Sequence, residues 1–422
     1  LRTGPFVRLW LAQIVSNVGD WAYVLAVATI LAANLGGATL IRSMALLVLV
    51  EGLSSALVGL LIAGPIVDRF SRRRVMVVAD VGRCLLVASL LLPAVPSSLH
   101  LVIVAGGLGA FRSLFQPALM SALPSVVDDD ALVTANGIMT GTFHLGIMVG
   151  PAIGAALVVA VGTGAAITVN ALSFGVSALL LLGLRLPRPT GERGDFSPVA
   201  DLVDGARYIL GSPLARGIAL VMGLVLFFCA GLGPFQLALV RDVLAPHGGP
   251  SVRTAVYGLM TTTWGSGMVL GSFLTTFCCR RMTKQRLVAT TIAVTGAAFA
   301  VASVTHSLIP ILVAWVFGGV ATGILNVSYD TMLQEGTPDR FRGRVFATVE
   351  SLQDGTYVLG AAAVAIVGGT VAPTTGMLVM GVGLGAIALL ARRLISTDGR
   401  AVPARPPHSL QQAPGEPVAV PG

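Results

Sequence analysis

Long apolar segments separated by short polar connections divide almost the whole chain. Windows of about 19 residues, the length at which a helix crosses a bilayer, place these segments near 9–33, 41–65, 75–95, 99–121, 132–160, 164–184, 214–239, 254–279, 286–305, 308–330, 345–370 and 374–394. Within each segment the apolar residues are continuous, whereas the strands of a membrane barrel would alternate them with polar residues. The pattern therefore predicts an all-α polytopic membrane protein with twelve transmembrane helices.

The composition favours the same membrane setting. Of the 422 residues, 55% are hydrophobic and only 11% are charged, while a water-soluble surface needs roughly 25–35% charged residues. Helices satisfy their own backbone hydrogen bonds in lipid, so a helical bundle needs charge only at its two ends. The four cysteines do not have the spacing of metal ligands, and we expect no metal and no cofactor.

The positions of the cations predict the orientation of the chain. The net charge is +8, and Lys284 is the one lysine among 27 cations. Arginines cluster in alternate connections, whereas the opposite connections hold only Arg42, Arg241 and Arg253. By the positive-inside rule this asymmetry places both termini in the cytoplasm. It predicts a multi-pass protein of the cell inner (plasma) membrane and argues against nucleic-acid binding.

The two halves of the chain have a similar layout. Gly64 precedes a basic connection in the first half and Gly271 does so in the second, and Pro124 and Pro338 correspond in the same way. Because the two offsets nearly agree, they indicate a duplicated six-helix unit.

The composition shifts at the middle and at the end of the chain. We expect a first six-helix bundle over 1–184 and a second over 214–394. Between them, 185–213 is expected to form a cytoplasmic linker with an amphipathic helix, and 395–422 is expected to be a disordered cytoplasmic tail. In the linker helix, Leu202, Ala206 and Ile209 form an apolar face that is expected to lie at the membrane surface. Since the chain begins at Leu1 and not at a methionine, the sequence leaves its true start open.

The connection after the second segment, "GPIVDRFSRRR", combines charges at a fixed spacing. It resembles the signature loop of the major facilitator superfamily at Gly64, Asp68, Arg69, Arg72 and Arg73, although Ser71 replaces the second glycine of that loop. The resemblance implies two pseudo-symmetric six-helix bundles around a central cavity. It also implies that Asp68 and Arg69 hold the cytoplasmic gate closed in the outward-facing state.

The fifth segment contains "GIMVGPAIGA", in which small residues recur about every fourth position. Gly146, Gly150, Pro151 and Gly154 form one smooth helix face against which another helix can pack closely. The stretch also resembles the antiporter motif of exporters in the superfamily, which favours export. Other stretches, such as "FRSLFQPALMSALPSVV", are similar to the branch that holds enterobactin-type siderophore exporters and macrolide-efflux permeases.

Several ionisable or polar residues lie inside the apolar segments, where a charge costs roughly 2.5–3.5 kcal/mol on insertion scales and needs a reason. The candidates for proton coupling or for the substrate cavity are Asp20, Glu51, Arg112, Asn17, Gln13 and His144, and the secondary candidates are Asp354, Glu350 and Asn326. The resemblance implies that the first segment lines the cavity, which makes Asp20 the first candidate for proton exchange and Glu51 the second. Arg112 would tune such a carboxylate, bind an anionic group of the substrate, or pair permanently and only lock the bundle.

These features predict a secondary active transporter, a proton-coupled antiporter that exports small amphipathic compounds such as an antibiotic, a drug or a siderophore. The alternatives are a lipid or lysophospholipid flippase of the same fold and an importer of a small solute. Lys284 is not part of a phosphate-binding glycine loop, and no catalytic motif indicates an enzyme. The expected partners are the small-molecule substrate, the proton and the lipid bilayer, and we expect a monomer.

Overall fold

The computed structural model of the chain describes residues 4–63, 66, 69–92, 97–128, 131–184 and 198–395, and every regular element in these ranges is a helix. The first half contains α1 (Gly4–Asn34), α2 (Gly37–Val58), α3 (Arg72–Ser89), α4 (Ser98–Ala122), α5 (Leu132–Val161) and α6 (Thr163–Leu182). The linker forms α7 (Pro198–Gly211), and the second half contains α8 (Pro213–Cys229), α9 (Leu232–Leu239), α10 (Pro250–Arg281), α11 (Lys284–Val304), α12 (Leu308–Gly336), α13 (Asp339–Val367) and α14 (Pro373–Leu394). Two short π-helical segments, Gly59–Ala63 and Val240–Leu244, prolong α2 and α9.

Without the linker helix α7, and with α8 and α9 taken as one stretch, the helices correspond to the twelve apolar segments of the sequence. Nine stretches in the described part of the chain are long and apolar enough to cross a membrane, with α8 and α9 counted as one. The other three, α3, α10 and α13, are more polar, but each packs along helices of its own half. Their polar residues are therefore partly covered by protein, and the predicted all-α fold with twelve transmembrane helices is confirmed.

The helices form two bundles of six with the same internal packing. In the first, α1 packs on α5 and α6, α2 on α4, and α3 on α4 and α6. In the second, α8 packs on α13 and α14, α10 on α12, and α11 on α12 and α14. Between the bundles, α2 packs on α13 and α5 packs on α10. A two-fold operation that exchanges the halves also exchanges these two contacts, as expected for a duplicated unit.

Glycines allow α10 and α12 to pack with their backbones in contact. A Cβ atom on Gly271 would overlap the carbonyl oxygen of Val320, and one on Gly323 would overlap the carbonyl oxygen of Met268. In lipid, close packing of this kind replaces the hydrophobic effect as a main source of helix association. The glycine content of the chain thus contributes directly to the stability of the second bundle.

The linker helix α7 is held on the second bundle. Tyr208 Oη donates a hydrogen bond to the carbonyl oxygen of Gly336 at 3.0 Å, and Arg344 Nη1 donates to Asp204 Oδ2 at 3.3 Å. Ile209, which the sequence placed at the membrane surface, is only 4% exposed. That prediction is wrong for Ile209 because α7 packs along α13 and the protein covers this side chain. The remainder of the predicted linker and tail, 185–197 and 396–422, lies outside the described residues.

Candidate functional site

Three charged side chains of the first bundle, each from a different helix, surround one region of the interior. Arg112 Nη1 on α4 lies 3.9 Å from Glu51 Oε1 on α2, and the charge of Arg112 also acts on Asp20 of α1. From the second bundle, Asp354 on α13 interacts electrostatically with the same guanidinium. The side chains of Arg112 and Glu51 are nevertheless 66% and 41% exposed. Charged groups of both bundles therefore act on Arg112, whose side chain is largely exposed.

A polar face of α1 continues from this region. Gln13, Asn17 and Asp20 follow one another at helical spacing, and all three are half-buried. Asn17 lies beside α5, where a Cβ atom on Gly146 would be 3.5 Å from the Cβ atom of Asn17. Tyr23, one turn after Asp20, is buried, and the charges of Glu51 and Asp20 act on it. This face forms the first-bundle wall of the candidate cavity.

His144 has a different environment from these residues. It is half-buried on α5, and the contact that the structure gives its ring is an edge-on one with Phe143, 5.9 Å between ring centres. None of the electrostatic interactions described for Asp20 or Glu51 involves His144. It therefore stays a candidate by position in the helix alone.

The second bundle presents carboxylates on α12 and α13. Glu350 and Asp354 are exposed, and each acts on a neighbouring acid: Asp354 on Glu350, and Glu350 on Asp330. The predicted segment 308–330 ends at Asp330, which therefore looked like a residue of the helix end and was not chosen as a candidate. The helix in fact continues to Gly336, which places Asp330 inside α12, one turn beyond the half-buried Asn326.

The bundles are sealed together at the end opposite the chain termini. Thr29 on α1 shares a hydrogen bond of 2.6 Å with Thr254 on α10, and Arg241 Nε donates to the carbonyl oxygen of Ala32 at 2.9 Å. Deeper in the interface, a Cβ atom on Gly265 of α10 would lie 2.5 Å from the carbonyl oxygen of Ile147 on α5. These contacts join one bundle to the other directly, so this end is closed.

The small residues of α5 lie against α1 and α10. A Cβ atom on Gly150 would overlap the indole ring of Trp21, and one on Gly154 would lie 2.7 Å from the carbonyl oxygen of Trp21. On the α10 side, the carbonyl oxygen of Pro151 would be 3.2 Å from a Cβ atom on Gly258. The stretch thus supplies close helix contacts within the first bundle and across the interface between the bundles.

Replacing Gly154 with alanine is expected to destabilise the first bundle by about 1–3 kcal/mol, the usual cost of overpacking. The added methyl group meets a backbone oxygen of α1, which has no rotamer with which to move away. The matched control is Gly141→Ala on the same helix, where a Cβ atom meets nothing within 4 Å. Thermal unfolding in detergent compares the two variants, and equal melting temperatures would contradict the prediction.

α3 carries a buried ion pair that the sequence interpretation missed. Arg83 pairs with Asp80 one turn earlier, and Ser177 Oγ of α6 donates a hydrogen bond to Asp80 Oδ2 at 2.6 Å. The guanidinium lies between the rings of Phe115 and Phe174, 4.5 Å from each centre. The charge pattern alone groups both residues with the basic connection. Their i, i+3 spacing inside the apolar segment 75–95 is the signal that would have identified the pair.

The family described as a transmembrane secretion effector, a branch of the major facilitator superfamily, matches residues 1–417. The chain belongs to this family. The transporter is 27% identical over 374 residues to the multidrug efflux pump Tap of Mycolicibacterium fortuitum, covering 85% of this chain and 88% of Tap. It is 29% identical over 347 residues to the enterobactin exporter EntS of Salmonella typhimurium (strain LT2), covering 79% of each chain.

The fold of the transporter is also that of solved members of the superfamily. The crystal structure of the nucleoside transporter NupG matches with a TM-score of 0.73, over 93% of this chain and 99% of NupG, at 12% identity. At this identity the likeness shows the fold alone. Together with the family match it confirms the predicted superfamily, including the likeness to the enterobactin-exporter branch.

The signature loop of the transporter is described only in part. Gly64 and Asp68 lie outside the described residues, Arg69 is exposed, and Arg72 begins α3. Arg73 Nη1 donates to the carbonyl oxygen of Leu184 at 3.1 Å, just beyond α6 of the same bundle. One basic residue of the loop therefore fixes α3 to the end of α6, and the gating role of Asp68 and Arg69 stays a prediction.

Proposed function

We propose that this transporter is a proton-coupled antiporter that exports small amphipathic compounds, such as an antibiotic, a drug or a siderophore, by alternating access. The observation that carries the proposal is the group of ionisable side chains around Arg112, which comes from both bundles and in which the side chains of Arg112 and Glu51 are partly exposed. The names of Tap and EntS, a multidrug efflux pump and an enterobactin exporter, support export as the direction.

Asp20 is the proposed proton-exchanging group, with Glu51 as the second candidate. Burial favours the neutral form of a carboxylic acid and contact with water favours the ion. A rearrangement that opens the region first to one side and then to the other therefore links protonation to the conformational cycle. Arg112 interacts with both Asp20 and Glu51, so loss of a proton from either changes how strongly the guanidinium can attract an anionic group of the substrate.

The moving bodies are proposed to be the two lobes 1–184 and 214–394, joined by the linker 185–213 and followed by the tail 395–422. With both termini in the cytoplasm, as the arginine distribution favours, the sealed end with Thr29 and Thr254 faces the outside. The described arrangement is then the inward-open state, in which Arg69 is exposed. In the outward-open state the loop with Asp68 and Arg69 would close the cytoplasmic side, in a monomer of the plasma membrane.

Transport by everted membrane vesicles tests this function. Vesicles acidified inside by respiration should accumulate the fluorescent amphipathic probes ethidium or Nile red, and nigericin, which collapses the pH gradient, should release them. Vesicles that lack the protein are the control, and accumulation that ignores nigericin would contradict proton coupling. Uptake by right-side-out vesicles would instead indicate an importer, and transport of a fluorescent lysophospholipid alone would indicate a flippase.

A further inference from the structure

Three arginines lie at the end of the molecule where the two bundles are sealed together. They are Arg42, Arg241 and Arg253, the cations that the sequence places in the connections opposite the arginine-rich ones. Because arginine and lysine are enriched on the cytoplasmic side of membrane proteins, each of these three is expected to have a local reason for its position. The contacts of Arg253 differ from those of the other two.

Arg253 holds a connection of its own bundle. Its Nε donates a hydrogen bond to the carbonyl oxygen of Ala245 at 3.1 Å, and its Nη2 donates to that of Pro246 at 2.7 Å. Both acceptors lie in the connection before α10, the helix on which Arg253 is placed. These hydrogen bonds fix that connection to α10 and do not join the two bundles.

Arg241 reaches from the second bundle to the first. It lies in the π-helical segment that prolongs α9, and its Nε donates a hydrogen bond at 2.9 Å to the carbonyl oxygen of Ala32, in the last turn of α1. Carbonyl groups in the last turn of a helix have no partner within the helix and form the negative end of its dipole. The last turn of α1, a helix described over its whole length, has no basic residue of its own. The complementary charge therefore comes from the other bundle.

The guanidinium of Arg241 is fixed from two sides. Its Nη1 lies 3.0 Å from Asp242 Oδ1. On the first-bundle side, a Cβ atom on Gly36, between α1 and α2, would overlap the guanidinium. The backbone of Gly36 is extended, with φ −138°, so glycine is required here for space and not for its conformation.

Arg42 makes the reciprocal contact, from α2 of the first bundle to the second. A Cβ atom on Gly369, in the turn Gly368–Thr370 after α13, would overlap the side chain of Arg42 at Nε. The preceding residue packs on the same turn, since a Cβ atom on Gly368 would lie 2.7 Å from Ile41 Cγ2. Arg42 therefore lies against the carboxyl end of α13, as Arg241 lies against that of α1.

We propose that Arg42 and Arg241 form a reciprocal latch that holds the sealed end closed, in which each bundle contributes one arginine to the carboxyl end of a helix in the other. A hydrogen bond from a charged donor is stronger than one between neutral groups. When the bundles separate, water can solvate both the guanidinium and the backbone carbonyl, so the latch is reversible. The inference rests on the proposed alternating access, which requires this end to open once in each cycle.

Thiol labelling measures how often this end opens. In a cysteine-free background, Ala28→Cys places one thiol on α1 beside Thr29, at a position that is 1% exposed. In right-side-out vesicles, a membrane-impermeant maleimide reaches this thiol when the sealed end opens. Arg241→Gln is expected to raise the labelling rate about tenfold, the lower end of the effect of losing one hydrogen bond to a charged group. Arg42→Gln is also expected to raise it.

Gly36→Ala tests the latch without removing a charge. Its methyl group displaces the guanidinium of Arg241, so the labelling rate is expected to rise, though by less than in Arg241→Gln. Gly249→Ala is the matched control at the same end, because a Cβ atom there meets nothing within 4 Å. Ala105→Cys, a thiol buried in the core of the first bundle, is the control for unfolding, and its labelling rate should stay the same in every variant.

The outcomes separate the latch from the proposed function. An unchanged labelling rate at Ala28→Cys in the double variant Arg42→Gln/Arg241→Gln would overturn the latch. An equal rise at Ala105→Cys would also overturn it, because the arginines would then stabilise the fold as a whole. A rise in everted vesicles instead would support the latch and reverse the proposed orientation. Failure of the proposed function is distinct: ethidium accumulation would ignore nigericin, whatever the labelling rates show.

Discussion

Replacing Asp20 with asparagine is expected to abolish the nigericin-sensitive accumulation of ethidium by everted vesicles, down to the level of vesicles without the protein. Asparagine matches the size and polarity of the protonated acid, so α1 should keep its packing. It cannot release a proton, however, and the step that couples the pH gradient to transport is lost. Movement of ethidium down its own gradient should persist, because the cavity itself is unchanged.

The matched control is Asp128→Asn. Asp128 is an exposed carboxylate in the connection after α4, and its replacement should leave accumulation at the original level. Accumulation that survives in Asp20→Asn would reject Asp20 as the coupling group. Loss of accumulation in Glu51→Gln, with Asp20→Asn active, would then move the coupling role to Glu51, the partner of Arg112.

Replacing Gly265 with leucine is expected to hold the sealed end open and to abolish transport. A Cβ atom at this position already lies 2.5 Å from the carbonyl oxygen of Ile147 in the other bundle. A leucine side chain cannot be accommodated unless α5 and α10 move apart. Since alternating access requires both ends to close in turn, a transporter that cannot close this end completes no cycle.

Spin labels at the ends of α1 and α10 measure this opening. In a cysteine-free background, Asn34→Cys and Ser251→Cys place the two labels on either side of the seal, both at exposed positions. Pulsed electron paramagnetic resonance should show a longer distance in Gly265→Leu than in the parent. Gly137→Leu is the control, because a Cβ atom there meets nothing within 4 Å. The same distance distribution in all three proteins would contradict the prediction.

Much of the fold followed from the sequence because each transmembrane helix forms by local hydrogen bonds over a length that the bilayer fixes. The boundaries differ where a helix continues beyond the apolar core. For example, α13 begins at Asp339, before the predicted segment 345–370, and its charged first turns extend past the apolar stretch. The same effect hid Asp330, because α12 continues beyond the end of the predicted segment to Gly336.

The candidate site was only partly predictable. Asp20, Glu51 and Arg112 could be chosen because a charge inside an apolar segment is conspicuous. The sequence left open whether Arg112 faces Asp20 or Glu51. In the structure Arg112 Nη1 lies 3.9 Å from Glu51 Oε1, and the charge of Arg112 also acts on Asp20. Arg83 was missed because its charge was grouped with the basic connection before α3, although its i, i+3 spacing from Asp80 was visible; the aromatic rings of α4 and α6 on either side of it could not be read from the sequence.

The sequence by itself determined the number of transmembrane helices and the division into two bundles, because a bilayer imposes one length on each span and a duplicated unit repeats its connections. The superfamily came from the resemblance of the loop after the second segment to its signature loop. Only the tertiary structure decided which charges meet. Helices distant in the chain become neighbours through packing of their small residues, and the rotation of each helix sets which side chains face the gap. The buried pair of Asp80 and Arg83, and the cover over Ile209, arise from such contacts between distant helices.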